Sequence, residues 1–177
     1  VSCEESLEPI QTARRKGWDV WGETCTQYFF VDISFLERME NFEAGNYVYT
    51  PPPRPLENQE VLWHAVRSDI LSVVSTDHCA FLWDGQKTMG KDDFSKIPNG
   101  MAGVEHRMDL LYQGAHEGKI SLARWVEVCT ASLARLRSYE EPSCIRSYAT
   151  TRSLTAINDW PGWRPLHSSI STDIRRV

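Results

Sequence analysis

The sequence reads as an α/β fold built on a parallel sheet. Apolar residues recur at helical spacing in four stretches, two short strand-like runs lie between them, and the elements alternate helix–strand–helix–strand–helix. Composition is that of an ordinary globular chain, 41% hydrophobic and 24% charged. A formal charge of −5 leaves no basic field for nucleic acid or an anionic membrane surface. No apolar run approaches the roughly 20 residues of a membrane span.

Taken in order, residues 4–16 form the first expected helix, with Leu7, Ile10 and Ala13 on one face and Ser2 with Glu5 at capping-box spacing. Pro9 is tolerated only in a first turn, which moves the start toward Ser6; Gly17 ends the helix. Residues 19–23 read as a short buried strand, and Tyr47 to Thr50 as an extended run stopped by Pro51, Pro52 and Pro53. Residues 57–68 form a helix with Val61, Leu62, Ala65 and Val66 inward, and 70–76 a β-branched buried strand. A polar loop from Asp77 to Gly100 follows. Val104, Met108, Leu111 and Ala115 mark a helix ending at Gly118; Ser121 caps a last one carrying Leu122, Trp125, Cys129, Leu133 and Leu136. The seven Trp residues read as core.

The tail, 137–177, has 11 Ser or Thr and a charge of +2, against −7 for residues 1–136, and reads as loosely ordered. The five cysteines (Cys3, Cys25, Cys79, Cys129, Cys144) are odd in number and contain no CxxC, which favours reduced thiols in a cytoplasmic protein. Val1-Ser-Cys-Glu-Glu has neither the basic nor the apolar part of a signal peptide, and with no initiator Met the chain reads as starting mid-domain.

Chemistry points first to Asp77, where an apolar strand runs into a carboxylate. Ligands and catalytic groups collect at such strand ends, although an Asp there also caps turns. His64 and His78 are metal-ligand candidates or, more often for a lone His, loop or core residues, since no HxH or HExxH is present. Cys79 is a nucleophile candidate or, better, a small buried residue. Lys96-Ile-Pro-Asn-Gly100 is a tight turn whose backbone either faces a ligand or only turns.

Seven segments in order sharpen this reading: Val1-Ser-Cys-Glu-Glu-Ser6, Gly22-Glu-Thr-Cys-Thr-Gln-Tyr28, Tyr49-Thr-Pro-Pro-Pro-Arg54, Thr76-Asp-His-Cys-Ala-Phe81, Lys87-Thr-Met-Gly-Lys-Asp-Asp-Phe94, Lys96-Ile-Pro-Asn-Gly100 and Gly103-Val-Glu-His-Arg107. Together they resemble the later half of a dihydropyrimidinase or D-hydantoinase, cyclic amidohydrolases of the amidohydrolase superfamily, over roughly residues 1–136. The resemblance implies the last strands of a partial TIM-like (β/α) barrel, followed by an irregular tail. A whole barrel needs about 250 residues. It implies hydrolysis of a dihydropyrimidine or 5-substituted hydantoin to an N-carbamoyl amino acid at a binuclear divalent metal centre, usually zinc.

Residue by residue, the resemblance makes Asp77 both a metal ligand and the base that passes a proton to the leaving nitrogen. Thr50 and Asn99 become contacts to the substrate ring, largely through backbone. Thr50 stands where the family commonly has Ser, and Tyr49 where it has Met. Keeping Asp77 and Asn99 separates the chain from the related neuronal proteins that have lost these positions. The HxH pair, the bridging Lys and the remaining His ligands have no counterpart here, so the resemblance implies one ligand of six. A metal pair is not expected to be held stably, nor the isolated chain to be active. The alternative is a non-catalytic partner that associates with a full-length homologue. The family is commonly tetrameric, which also leaves a homo-oligomer open. Past Leu136 the family's pattern stops abruptly, which points to a shifted reading frame or an aberrant gene model. Open sheet edges predict marginal stability or self-association.

Overall fold

Parallel strands cannot be joined by a tight turn; the chain must cross over and return. A computed structural model, which describes residues 1–140 with side chains through Leu136, shows how this one does so. Strand β1 (Glu23–Cys25) pairs in parallel with β2 (Val73–Ser75), Thr24 facing Val74 across the ladder. Helix α3 (Glu57–Arg67) leads the crossover back into β2. Helix α1 (Leu7–Arg15) precedes the pair; α4 (Arg107–His116), α5 (Leu122–Val126) and α6 (Ser132–Glu140) follow it. Short helix α2 (Ile33–Glu37) lies within the crossover. Val1–Arg135 form one packed unit. The tail assigned to 137–177 lies outside the described residues except for the end of α6.

The expected elements are present with shifted edges. Residues 4–6 form a 3₁₀ turn, and α1 begins at Leu7, which leaves Pro9 in its first turn. The Ser2–Glu5 capping box does not form. Arg54 Nε donates to Ser2 Oγ at 3.1 Å, and the Glu4 N–H is taken by Asn58 Oδ1 at 2.9 Å. Gly17 closes α1 with the paired bonds of a Schellman motif, Trp18 N–H to Ala13 O and Gly17 N–H to Arg14 O.

The strand expected at 19–23 starts only at Glu23. Val20 O is bonded to Arg14 Nε, and Gly22 O accepts both the Ser72 and Val73 N–H groups before the ladder begins. Tyr47, expected in an extended run, ends the 3₁₀ turn Glu43–Tyr47. Val104 is exposed and outside α4, because the Gly103 and Val104 N–H groups both donate to His78 Nδ1. In the last helix Ser121 Oγ caps Arg124 N–H as expected. Leu122, however, is exposed in the first turn, whereas Cys129 is buried as expected; Val128 joins it in a π-helical turn at Glu127–Ala131 that departs from the 3.6-residue period.

The core joins Leu62, Ala65 and Val66 of α3 to Leu71 and Val74, Leu7, Leu111, Ile120 and Val128. Trp63 is buried as well, stacked 4.2 Å from Phe29 and edge-on to Phe30, whereas Trp18 is exposed rather than core. Arg124 closes the base of the sheet: its guanidinium donates to Val66 O, Leu71 O and Asp69, and pairs with Glu127.

α4 reaches Trp63 through Gly114, where a Cβ would stand 2.2 Å from Trp63 Cη2. Gly114→Ala should therefore lower stability by about 1–3 kcal/mol, read as a lower urea midpoint at unchanged slope. Asp32 caps α2: the Ser34 hydroxyl first, then the Ser34 and Phe35 N–H groups, hold its carboxyl below the usual range. That contribution is fully present above the unfolded carboxyl's pKa and is lost as pH falls through the lower folded value. Asp32→Ala should cost about 1 kcal/mol near pH 7, and chemical denaturation should show the gap to the parent closing below about pH 4.

Candidate active site

Both strands end on one rim. Cys25 Sγ lies 3.2 Å from Ser75 Oγ, and Thr26 Oγ1 donates to Ser75 O. β2 then runs through Thr76 into Asp77, which is exposed and turns at φ 47°. That left-handed conformation is uncommon outside glycine, and Asp is among the residues that tolerate it. Burial pushes the Cys25 thiol above its ordinary value, and the nearby Asp77 carboxylate pushes it the same way.

After Asp77 the chain is pinned to the segment leading to α4. Cys79 N–H donates to Met101 O at 3.0 Å, and His78 Nδ1 accepts two backbone N–H groups. This occupies one ring nitrogen of His78 in structural bonding; His64 lies on the exposed side of α3. Cys79 is exposed, not the small buried residue expected, because the tight 98–101 turn rather than the core takes the space beside it. A Cβ on Gly100 would meet Cys79 O at 2.5 Å.

The structure brings Thr50 and Asn99 together. Asn99 Nδ2 donates to Thr50 Oγ1 at 3.0 Å, with Oδ1 3.2 Å from the same hydroxyl, and Gly100 N–H donates to Val48 O. Beneath them lies Lys87, which the sequence reading missed. It is 2% exposed, and its ammonium donates to Val48 O at 3.2 Å and to Pro98 O and Gly100 O at 2.8 Å. Burial lowers its pKa. A lysine in a polar, glycine-containing loop looks like a solvated charge, and only its place in the Lys87-Thr-Met-Gly segment set it apart.

Tyr28 and Tyr49 back the rim, ring edge to ring face at 6.0 Å. Tyr28 OH donates to Pro51 O, while the buried Tyr49 hydroxyl has no hydrogen-bond partner among the described residues. Burial raises both phenols above their ordinary range. Among the described residues no three His, Cys, Asp or Glu side chains gather to hold a metal ion. Asp77 alone does not fit a binuclear centre.

No family model matches the chain. It is 45% identical to a D-hydantoinase of Rhizobium radiobacter over 136 residues, 77% of this chain and 30% of that protein. A D-hydantoinase of Streptomyces coelicolor is 48% identical over 77% of this chain and 29% of its own length. The crystal structure of dihydropyrimidinase from Brevibacillus agri superposes with a TM-score of 0.74 at 47% identity, covering 77% of this chain and 30% of that one. The chain belongs to the dihydropyrimidinase and D-hydantoinase family. It spans about 30% of the length of these relatives. Among the described residues no helix is long and apolar enough to cross a membrane.

The orphaned Tyr49 hydroxyl gives a direct check. Tyr49→Phe removes a buried unsatisfied donor without leaving a cavity and should raise stability by about 1 kcal/mol, read as a higher melting temperature.

Proposed function

We propose that this chain carries the ring-binding edge and the proton-transferring carboxylate of a cyclic amidohydrolase that opens dihydropyrimidines or 5-substituted hydantoins. The juxtaposition of Thr50 with Asn99, on the same strand-end rim as exposed Asp77, carries the reading. The relatives' names, D-hydantoinase and dihydropyrimidinase, agree with it. In this scheme the 48–50 and 98–100 segments seat the ring amide. Asp77 accepts a proton from the attacking water and returns it to the ring nitrogen as the C–N bond breaks, leaving the N-carbamoyl amino acid.

The described residues offer the family's metal pair one donor, Asp77, and the other ligands would have to come from outside them. The strands are then the last ones of a TIM-like barrel, residues 1–136 its family-like part and 137–177 a divergent tail. Four free thiols among the described residues suit a reducing, cytoplasmic setting. The isolated chain should not open dihydrouracil or hydantoin with added zinc or manganese.

Co-expression with the complementary N-terminal portion of the Brevibacillus agri enzyme tests this. Ring opening, followed by loss of substrate absorbance, should appear in the reassembled pair. There Asp77→Asn should lower kcat by about 10²–10⁴-fold, and Asn99→Ala should raise KM more than it lowers kcat. Turnover that survives Asp77→Asn refutes the role of Asp77. Copurification with a full-length homologue whose turnover is unchanged favours the non-catalytic partner instead.

A further inference from the structure

We propose that Lys87 is the positioning residue of the ring-binding edge: its buried ammonium holds the 48–50 and 98–100 segments in register and presents the Asn99 backbone to the ring. This rests on the cyclic-amide reading above.

A buried charge is costly unless its hydrogen-bonding capacity is filled. An ammonium has three N–H donors. Lys87 Nζ has three acceptors, and all are backbone carbonyls. Val48 precedes Thr50 by two residues; Pro98 and Gly100 bracket Asn99. The ammonium thus takes the carbonyls on either side of Asn99 and not that of Asn99 itself.

The Gly100 N–H to Val48 O bond, 2.9 Å, crosses between the same two segments. The Phe81 ring, its centroid 5.6 Å from Nζ, also favours a cation at this point. A neutral side chain of equal length would fill the space but take the ammonium donor from Pro98 O and Gly100 O, and leave Val48 O with the Gly100 N–H alone. The Thr50–Asn99 contact would then lack the fastening beneath it.

The test begins with the unsubstituted chain. Under limited acetylation with an N-hydroxysuccinimide ester, read by peptide mass spectrometry, Lys87 should react at least about tenfold more slowly than the exposed Lys91 and Lys96. Reaction at the same rate overturns the proposal.

In the ¹⁵N-labelled chain, Lys87→Met should speed hydrogen exchange at the Gly100 amide by about tenfold while the Leu62 and Val66 amides of α3 change less than about twofold. Chemical-shift changes at Asn99 on titrating hydantoin should be lost together with that protection. In Lys87→Ala, n-propylammonium should restore Gly100 protection and neutral n-propanol should not, a charge-specific rescue that packing alone does not produce.

Unchanged Gly100 exchange in Lys87→Met, or equal rescue by propanol, overturns the proposal. So does loss of α3 protection in both variants, which would make Lys87 a folding residue. Absence of any hydantoin-induced shift in the unsubstituted chain refutes the ring-binding reading itself. A shift that survives Lys87→Met refutes only the role of Lys87.

Discussion

The parallel pairing of β1 with β2 is the constraint from which the rest follows. Two strands running the same way put both C-terminal ends on one rim, and they require a crossover long enough to return to the start of the sheet. α3 leads that return, and its Leu62, Ala65 and Val66 face forms much of the core. Long cations fasten the opposite end of the sheet. Arg14 bonds Val20 O, Asp69 O and Ser72 Oγ, and Arg124 bonds the carbonyls of Val66 and Leu71. With the base fixed, the rim is free to carry irregular backbone.

Irregular backbone is what the rim carries. Asp77 leaves β2 through a left-handed turn, and the 48–50 and 98–100 segments meet over a buried lysine. None of these pieces makes a ladder of its own, so each depends on side-chain or cross-segment bonds. The polar groups this places near the core are bonded, with Tyr49 OH an exception. A tyrosine at that position brings a hydroxyl that a methionine would not.

Much of this was legible in the sequence, and the gaps have physical causes. Helical periodicity located α3 closely and α1 and α4 to within a few residues, since amphipathic faces leave a direct signature. The parallel sheet followed from the alternation of elements. Strand edges were less readable: Gly22 and Val20 look like strand residues, but their carbonyls are spent on Ser72, Val73 and Arg14. Val128 was missed because a π turn, invisible to a fixed period, buries it beside the expected Cys129, and Leu122, in the first turn of its helix, is exposed. At the site, Asp77 stood out as a carboxylate at the end of an apolar run. Thr50 and Asn99 came from the family resemblance, and their mutual contact needed the fold. Lys87 could not be seen as buried, because its partners are backbone atoms that no residue letter encodes.

That last point reaches beyond this site. Lys87 spends all three of its side-chain bonds on main-chain carbonyls, Arg14 two of three and Arg124 two of four. Every amino acid has such a carbonyl, so the residues at 20, 48, 66, 71 and 98 can drift without loss of these bonds, provided the backbone path holds. In an alignment these cations would then stay fixed while the residues lending only a carbonyl vary, and those pairs of columns would not change together. Such main-chain fastenings would leave no trace in methods that infer contacts from correlated substitution.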